Sequence, residues 1–155
     1  MTRYAQGTTV STSQSRAEVE RTLIRYGATE FVSGWSGSGA QQALGFTIHG
    51  RQVRITLPLP ERESFNLTPK GYDRAPAEAE KAYQAEIRRR WRALLLIVKA
   101  KLEAVDSGIT TIEREFLADV VIPDTGETFM DRVGPGLERL YAEHGIPELL
   151  PGGKR

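Results

Sequence analysis

The longest hydrophobic pattern in the chain lies between Pro76 and Asp106, where apolar residues recur every three or four positions. They are Tyr83, Ile87, Trp91, Leu94, Val98, Leu102 and Val105. This spacing places them on one face of an α-helix. Pro76 suits the first helical turn, and Gly108 follows the last one. The pattern predicts a helix over residues 76–106, about 45 Å long at 1.5 Å per residue, which serves as the main packing element.

Three segments before this helix have the composition and alternation of β-strands. Residues 29–35 are rich in β-forming side chains. In the next two segments apolar residues alternate with small or polar ones, and these apolar residues are Leu44, Phe46, Ile48, Val53, Ile55 and Leu57. His49 and Gly50 suit a tight hairpin turn, and Pro58 ends the third strand because proline cannot donate to the ladder. We therefore predict three antiparallel strands.

Shorter helices are predicted on both sides of these elements. Residues 15–18 match a capping box, so a first helix is predicted to start at Ser15 and to end at Gly27. Residues 110–113 match a second capping box that opens a short helix. A last helix is predicted over residues 129–141, with a break near Gly134 and Pro135.

The order of these elements indicates an α+β fold. A three-stranded antiparallel sheet packs on one long helix, accompanied by an N-terminal helix and short C-terminal helices. The 155 residues fit a single domain. Residues 1–14 and 145–155 are predicted to be flexible, and the polar segment 61–75 to be a mobile loop. Residues 120–123 are predicted to form either a short strand or an extended segment.

Composition narrows the possible classes of protein. Hydrophobic residues at 39% and charged residues at 26% are typical of a chain that folds. The absence of cysteine excludes disulfides, thiolate metal sites and a cysteine nucleophile. The N-terminal residues lack the apolar stretch of a signal peptide, and no apolar run approaches the ~20 residues that cross a bilayer. We expect a cytoplasmic protein that does not contact the membrane.

Residues suited to catalysis are few. The two histidines, His49 and His144, fit neither a catalytic triad nor a zinc site. Six carboxylates in one stretch are candidate ligands of a catalytic metal, namely Glu113, Glu115, Asp119, Asp124, Glu127 and Asp131. The same six residues also fit a solvated acidic face. We assign no catalytic residue, metal or cofactor, and a metal-dependent phosphodiesterase or nuclease remains an alternative.

The glycine-rich segment over residues 33–39 includes Trp35. Backbone N–H groups in such segments bind phosphate in some proteins. This one joins two predicted strands and lacks the Gly-Lys-Ser/Thr ending of a P-loop. It is interpreted as a flexible hairpin connection or, if functional, as a lid or clasp beside Trp35.

Basic residues are concentrated on the long helix. The formal net charge is only +1, so any attraction to phosphates depends on clustering. Arg88, Arg92 and Lys99 fall within about 40° of one another along one border of the apolar face. Arg54 on the open face of the third strand and Arg51 in its turn add charge. Together with Trp35 these five residues are the predicted ligand-binding residues, although a solvated helix face paired with glutamates has the same pattern.

The middle of the long helix, residues 94–98, is apolar around most of its circumference. A single sheet covers one face of a helix, so other elements must cover the remainder. The other helices are one possibility. A second is a homodimer through the long helix, and a third is a surface that binds and inhibits a host protein.

Several stretches resemble one known family. They are SRAEVERTLIRYGA at residues 15–28, RQVRITLPLP at residues 51–60, RRWRALLLIVKAKLEAVDSGITTIEREFLAD at residues 89–119, and residues 122–128. In these the chain resembles a family of small uncharacterised proteins encoded by bacteriophages and prophages. The resemblance implies an accessory protein in the cytoplasm of a bacterial host. Common roles of such proteins are DNA handling, regulation and the blocking of host defence, and no functional residue is carried over.

The leading hypothesis is non-enzymatic binding of a phosphate-bearing ligand by the basic residues. That ligand is either nucleic acid, whose backbone the basic border follows, or a nucleotide immune signal that the protein sequesters to counter host defence.

Overall fold

The computed structural model describes the backbone of residues 2–35 and 41–150, and the side chains of residues 12–35 and 41–150. This part of the chain contains four α-helices, three strands and two short 3₁₀ helices. In chain order they are α1 (Thr2–Arg25), β1 (Glu30–Trp35), β2 (Gln41–Ile48), β3 (Arg51–Pro58), a 3₁₀ helix (Arg62–Asn66), α2 (Pro76–Asp106), α3 (Ile112–Phe116), a second 3₁₀ helix (Leu117–Asp119) and α4 (Phe129–His144). The predicted α+β architecture with one long helix is confirmed.

The three strands form one antiparallel sheet in the order β1-β2-β3. Phe31 lies opposite Phe46, which in turn lies opposite Val53. Because side chains alternate between the faces of a sheet, this register places all three on the inner face. The outer face carries mostly small and polar residues together with the exposed Val32, and no described α-helix packs on it, as is common in antiparallel sheets.

Helices α1 and α2 cover the inner face of the sheet side by side. They run in the same direction, since Glu18 pairs with Lys99 and, further along, the Tyr26 hydroxyl donates to Glu103 over 2.8 Å. The largest fully buried side chains come from every layer of the fold and are Trp91, Phe46, Phe116, Leu23, Leu44, Ile48, Leu102, Ile112, Val19, Val53 and Val98. Burial of this shared apolar surface is the main force that joins helices to sheet.

Helix α3 and the segment after it close one end of the core. The ring of Phe116 meets the ring of Phe46 edge to face, with centroids 5.5 Å apart. The chain then runs in extended form beside β3, where Val120 bridges Val53 and the backbone N–H of Val121 donates to Gln52 over 2.8 Å. Of the two predicted alternatives for residues 120–123, a short strand and an extended segment, the structure shows an extended segment with isolated bridges over residues 120–122.

Helix α4 follows a tight turn and buries none of its residues. Its first turn is secured by a capping box, in which the Thr128 hydroxyl accepts from the backbone N–H of Asp131 and the Asp131 carboxylate accepts from the backbone N–H of Thr128. The helix packs against the 3₁₀ helix Leu117–Asp119. Among the described helices, none has the length and hydropathy to cross a membrane.

Two predicted helix starts were wrong. Helix α1 extends through Ser15 from Thr2, because serine and threonine are tolerated inside a helix as well as at its cap. The cap of α3 is Thr111, whose hydroxyl accepts from the N–H of Arg114 over 3.2 Å, and not Thr110. Both threonines carry a hydroxyl that could cap the helix. Which of them does so depends on the backbone conformation of the turn that begins at Gly108.

The predicted break in the last helix was also wrong. Helix α4 continues through Pro135 to His144. Proline removes a single backbone hydrogen bond, and the remaining bonds and the capping box maintain the helix around it.

The segment predicted as a mobile loop has secondary structure of its own. It contains the 3₁₀ helix Arg62–Asn66, and the guanidinium of Arg74 donates to the carbonyls of Phe65 and Leu67 over 3.1 and 2.9 Å. The Phe65 ring also packs edge to face on Tyr83. Of the ends predicted to be flexible, residues 2–14 are helical. The glycine-rich segment predicted as a flexible connection over residues 33–39 was partly wrong, because residues 33–35 belong to β1 and are held by its pairing with β2. Residues 36–39 of that segment and the last five residues lie outside the described part of the chain.

Candidate ligand-binding site

The outer face of the sheet forms a groove of about 430 Å³. Its floor consists of small residues, including Ala43 and Gly45, because the alternation of β2 directs its large apolar side chains inward. Arg54 and Val121 line its side, and Trp35 lies at its end. The small floor allows a flat ligand to approach the sheet backbone closely.

A second, smaller cavity of about 170 Å³ adjoins the groove at the end of β1. The two cavities share Gly34 and Trp35. The remaining lining of the smaller cavity comes from α1, the inner face of the sheet and α2, and consists of Arg16, Ser33, Gln42 and Trp91. Trp35 thus stands where the two spaces meet, and its side chain is 76% exposed.

Arg16 contributes positive charge to the smaller cavity. Its guanidinium donates to the Ser33 hydroxyl and lies over the Trp91 ring, 5.7 Å from the ring centre. Within the described part of the chain, no carboxylate lies within ion-pair distance of Arg16. The half-buried cation is held by a hydroxyl and an aromatic face, neither of which cancels its charge.

Arg16 was not among the predicted ligand-binding residues. It lies three residues before Val19 and seven before Leu23, which places it on the apolar face of α1. A charged residue at such a position is rarely buried without a reason. That interruption of the apolar pattern was the signal in the sequence.

Arg54 contributes positive charge to the groove. One of its terminal nitrogens donates to the carbonyl of Gly126 over 2.6 Å, which ties the sheet to the turn before α4. Hydrogen bonds from Thr128 lower the pKa of the Asp131 carboxyl, and the charge of Arg54 adds a smaller effect in the same direction. No described carboxylate forms an ion pair with Arg54. A guanidinium has five N–H donors, so donors remain for a ligand.

The predicted basic residues of α2 lie along the border next to α1. Lys99 forms an ion pair with Glu18, and its hydrogen bond lowers the pKa of that carboxyl. Arg88 is half-buried and has a contact of its own, while Arg92 is exposed. The charge of Lys99 is therefore neutralised within the fold.

Arg51 lies at the other end of the sheet, where its guanidinium is 3.9 Å from the carboxylate of Glu113 in α3. Of the six predicted ligand-binding residues, the structure brings together Trp35 and Arg54 in one groove. The other four do not line that groove.

The six candidate metal ligands do not converge. Within the described ranges, no group of three or more His, Asp or Glu side chains is placed to hold a metal ion. Glu127 pairs with Arg132 at 3.3 Å, and Glu115 lies 3.9 Å from Lys101. Asp119 is half-buried, and this burial raises the pKa of its carboxyl.

Comparison with known proteins adds no further constraint. No protein-family model matches this chain, and no curated protein or solved structure is significantly similar to it. The candidate site rests on its geometry.

Proposed function

We propose that this protein binds a ligand that combines phosphate with a flat aromatic ring, either a nucleotide or single-stranded nucleic acid, where the groove and the smaller cavity meet. The observation that supports this proposal is the position of Trp35. It is exposed between two cavities, each of which contains an arginine, Arg54 or Arg16, without a described carboxylate partner. Aromatic surface therefore lies together with two guanidinium groups that form no ion pair with a described carboxylate.

The chemistry of these side chains suits such a ligand. Stacking of a base on an exposed aromatic ring contributes about 1–3 kcal/mol. A guanidinium binds phosphate oxygens with two parallel hydrogen bonds. The groove volume of about 430 Å³ also lies within the range of roughly 300–1,000 Å³ that is usual for small-molecule sites. A base stacks on Trp35 in this proposal, and its phosphate reaches Arg54 or Arg16.

The resemblance to phage-encoded proteins implies two roles for a site of this chemistry. A protein that handles phage or host DNA binds the nucleic acid backbone, and the exposed Arg92 would then extend the contact along α2. A protein that counters host defence sequesters a nucleotide signal within the groove. Both roles use the same aromatic and cationic groups.

A binding titration tests the proposal. The probes are a fluorescently labelled single-stranded oligonucleotide, nucleoside triphosphates and a cyclic dinucleotide. We expect Trp35→Ala and Arg54→Ala each to weaken binding about tenfold, which corresponds to roughly 1.4 kcal/mol. Trp35→Phe should retain most of the affinity because it keeps an aromatic face. Arg139→Ala, which removes an exposed arginine from α4, is the matched control for net charge.

The titration also separates the two ligands. Polymer binding releases many counterions, so it weakens steeply with added salt, whereas a small enclosed nucleotide loses much less. If no probe binds, or if Arg139→Ala weakens binding as much as Arg54→Ala does, the proposed site is wrong.

A further inference from the structure

Helix α4 carries an apolar stripe that the described part of the fold leaves about half exposed. The stripe consists of Phe129, Met130, Val133, Leu137, Leu140 and Tyr141, which are between 38% and 55% exposed. At 100° per residue these side chains fall within an arc of about 120° along one side of the helix. Amphipathic helices normally bury such a stripe against their own domain. Here all six side chains remain accessible.

We propose that the α4 stripe pairs with the α4 stripe of a second copy of this chain, with the two helices antiparallel about a two-fold axis near Leu137. This interaction surface is separate from the proposed ligand site, because none of the stripe residues lines the groove or the smaller cavity. The contact is isologous, so each copy supplies the same patch.

The charges beside the stripe favour an antiparallel pair. Arg132 and Glu143 lie on the same flank of the stripe at opposite ends of the helix. An antiparallel arrangement therefore places Arg132 of each copy beside Glu143 of the other. A parallel two-fold pair would instead set this flank against the opposite flank of the second copy, so Arg132 and Glu143 would not meet. Within one chain Arg132 pairs with Glu127 at 3.3 Å, and this exposed pair costs little to rearrange.

The opposite flank provides an independent check on the same geometry. Glu138 lies there, close to the middle of the helix. Near a two-fold axis it faces its own counterpart in the second copy, and two like charges at short range repel. Glu138→Gln is therefore expected to strengthen the dimer, whereas it would have no such effect on a helix that stands alone.

The available area is sufficient for a specific but weak dimer. Leu117 lies in the 3₁₀ helix against which α4 packs and is itself exposed, and the residues after the helix include Ile146 and Leu149, which are more than 90% exposed. Two 16-residue helices with these neighbours bury roughly 1,200 Å², the lower end of specific interfaces. By comparison, the middle of α2 exposes the neighbouring pair Leu96 and Ile97.

Sedimentation equilibrium over a range of protein concentrations tests the pairing. We expect the wild type to dimerise with a dissociation constant in about the micromolar range. Leu137→Glu should be monomeric, since it places a charge at the centre of the stripe. Leu96→Glu is the matched control and should remain dimeric. Circular dichroism and thermal unfolding confirm that each variant is folded, which is expected because α4 buries no residue and Leu96 of α2 is exposed.

Charge exchange tests the orientation. Arg132→Glu and Glu143→Arg should each raise the dissociation constant about tenfold, because two symmetric pairs become repulsive at once. The double variant should restore the wild-type value. Failure of that rescue overturns the antiparallel arrangement. A wild type that stays monomeric, a Leu137→Glu variant that stays dimeric, or a Leu96→Glu variant that dissociates overturns the α4 pairing itself. Trp35→Ala should not change the association.

Discussion

The indole N–H of Trp91 donates a hydrogen bond to the side-chain oxygen of Gln42 over 2.6 Å. Trp91 lies in the middle of α2 and is almost fully buried, and Gln42 lies in β2. The bond therefore joins the long helix to the sheet at the wall of the smaller cavity. Because the indole donor is buried, a replacement without an acceptor leaves it unsatisfied.

Gln42→Leu is expected to lower the free energy of unfolding by about 1–3 kcal/mol, the usual penalty for a buried donor that has lost its partner. Chemical denaturation followed by circular dichroism measures this change. Gln41→Leu alters the neighbouring exposed residue on the other face of β2 and should change stability by less than about 0.5 kcal/mol. Equal losses in the two variants would contradict the role of this bond.

Phe116→Ala should be the most destabilising of these changes. The Phe116 side chain is fully buried and packs edge to face on Phe46. Truncation of a buried phenylalanine costs about 3–5 kcal/mol because a cavity remains. Denaturation midpoints provide the measurement. The adjacent Leu117 is 46% exposed, so Leu117→Ala should cost much less, and a similar cost would mean that α3 does not anchor the core.

Glu86 should make stability dependent on pH. Hydrogen bonds from Arg89 and Arg90 lower the pKa of its carboxyl from 4.5 to about 2. A lowered pKa in the folded state stabilises the protein fully above pH 4.5, and this contribution is lost as the pH falls through about 2. At pH 7 Glu86→Gln should therefore cost about 1–2 kcal/mol, after allowance for solvent screening.

The difference between wild type and Glu86→Gln should shrink as the pH is lowered. Denaturation curves at a series of pH values reveal this convergence. Glu20→Gln changes an exposed carboxylate of α1 and should show little effect at any pH. A Glu86→Gln deficit that stays constant down to acidic pH would disprove the ionic origin of the stabilisation.

Thr128→Ala should loosen the start of α4. The substitution removes the hydroxyl that accepts from the N–H of Asp131 over 3.2 Å. Loss of such a cap costs about 1 kcal/mol. Because α4 buries no residue, the loss should appear as faster amide hydrogen exchange in its first turn and not as global unfolding. Amide exchange should be measured in a protein that also carries Leu137→Glu, because self-association then does not protect the helix.

Thr125→Ala is the control for this change. The Thr125 hydroxyl accepts from the N–H of Glu127 in the turn before the helix, over 3.4 Å, and from the side chain of Arg132 over 3.2 Å, whereas the Thr128 hydroxyl accepts from a backbone N–H of the helix. Removal of the Thr125 hydroxyl should leave exchange in α4 unchanged. If Thr125→Ala and Thr128→Ala accelerate exchange equally, the whole turn and not the capping box holds the helix start.

Local patterns predicted the central helix and the sheet. Helix α2 has the predicted bounds, Pro76–Asp106, because its apolar period and its terminal residues act over a few positions along the chain. The strands followed from alternation, which is also local. The predicted start of α1 was wrong because the capping pattern is equally local. Ser15 and Glu18 have the same spacing inside a helix as at its beginning.

The sequence by itself determined the helix and strand types and the apolar face of α2, and it predicted Trp35 and Arg54, which the structure places in one groove, as ligand-binding residues. Only the tertiary structure decided which charges remain available. Lys99 meets Glu18 across 81 positions of sequence, and Arg16 reaches Ser33 and Trp91 through the packing of α1 on α2. The physical reason is the distance along the sequence over which each kind of interaction acts. Helical and strand periodicity depend on neighbours a few residues away, whereas ion pairs and cavities depend on which distant segments the core brings together.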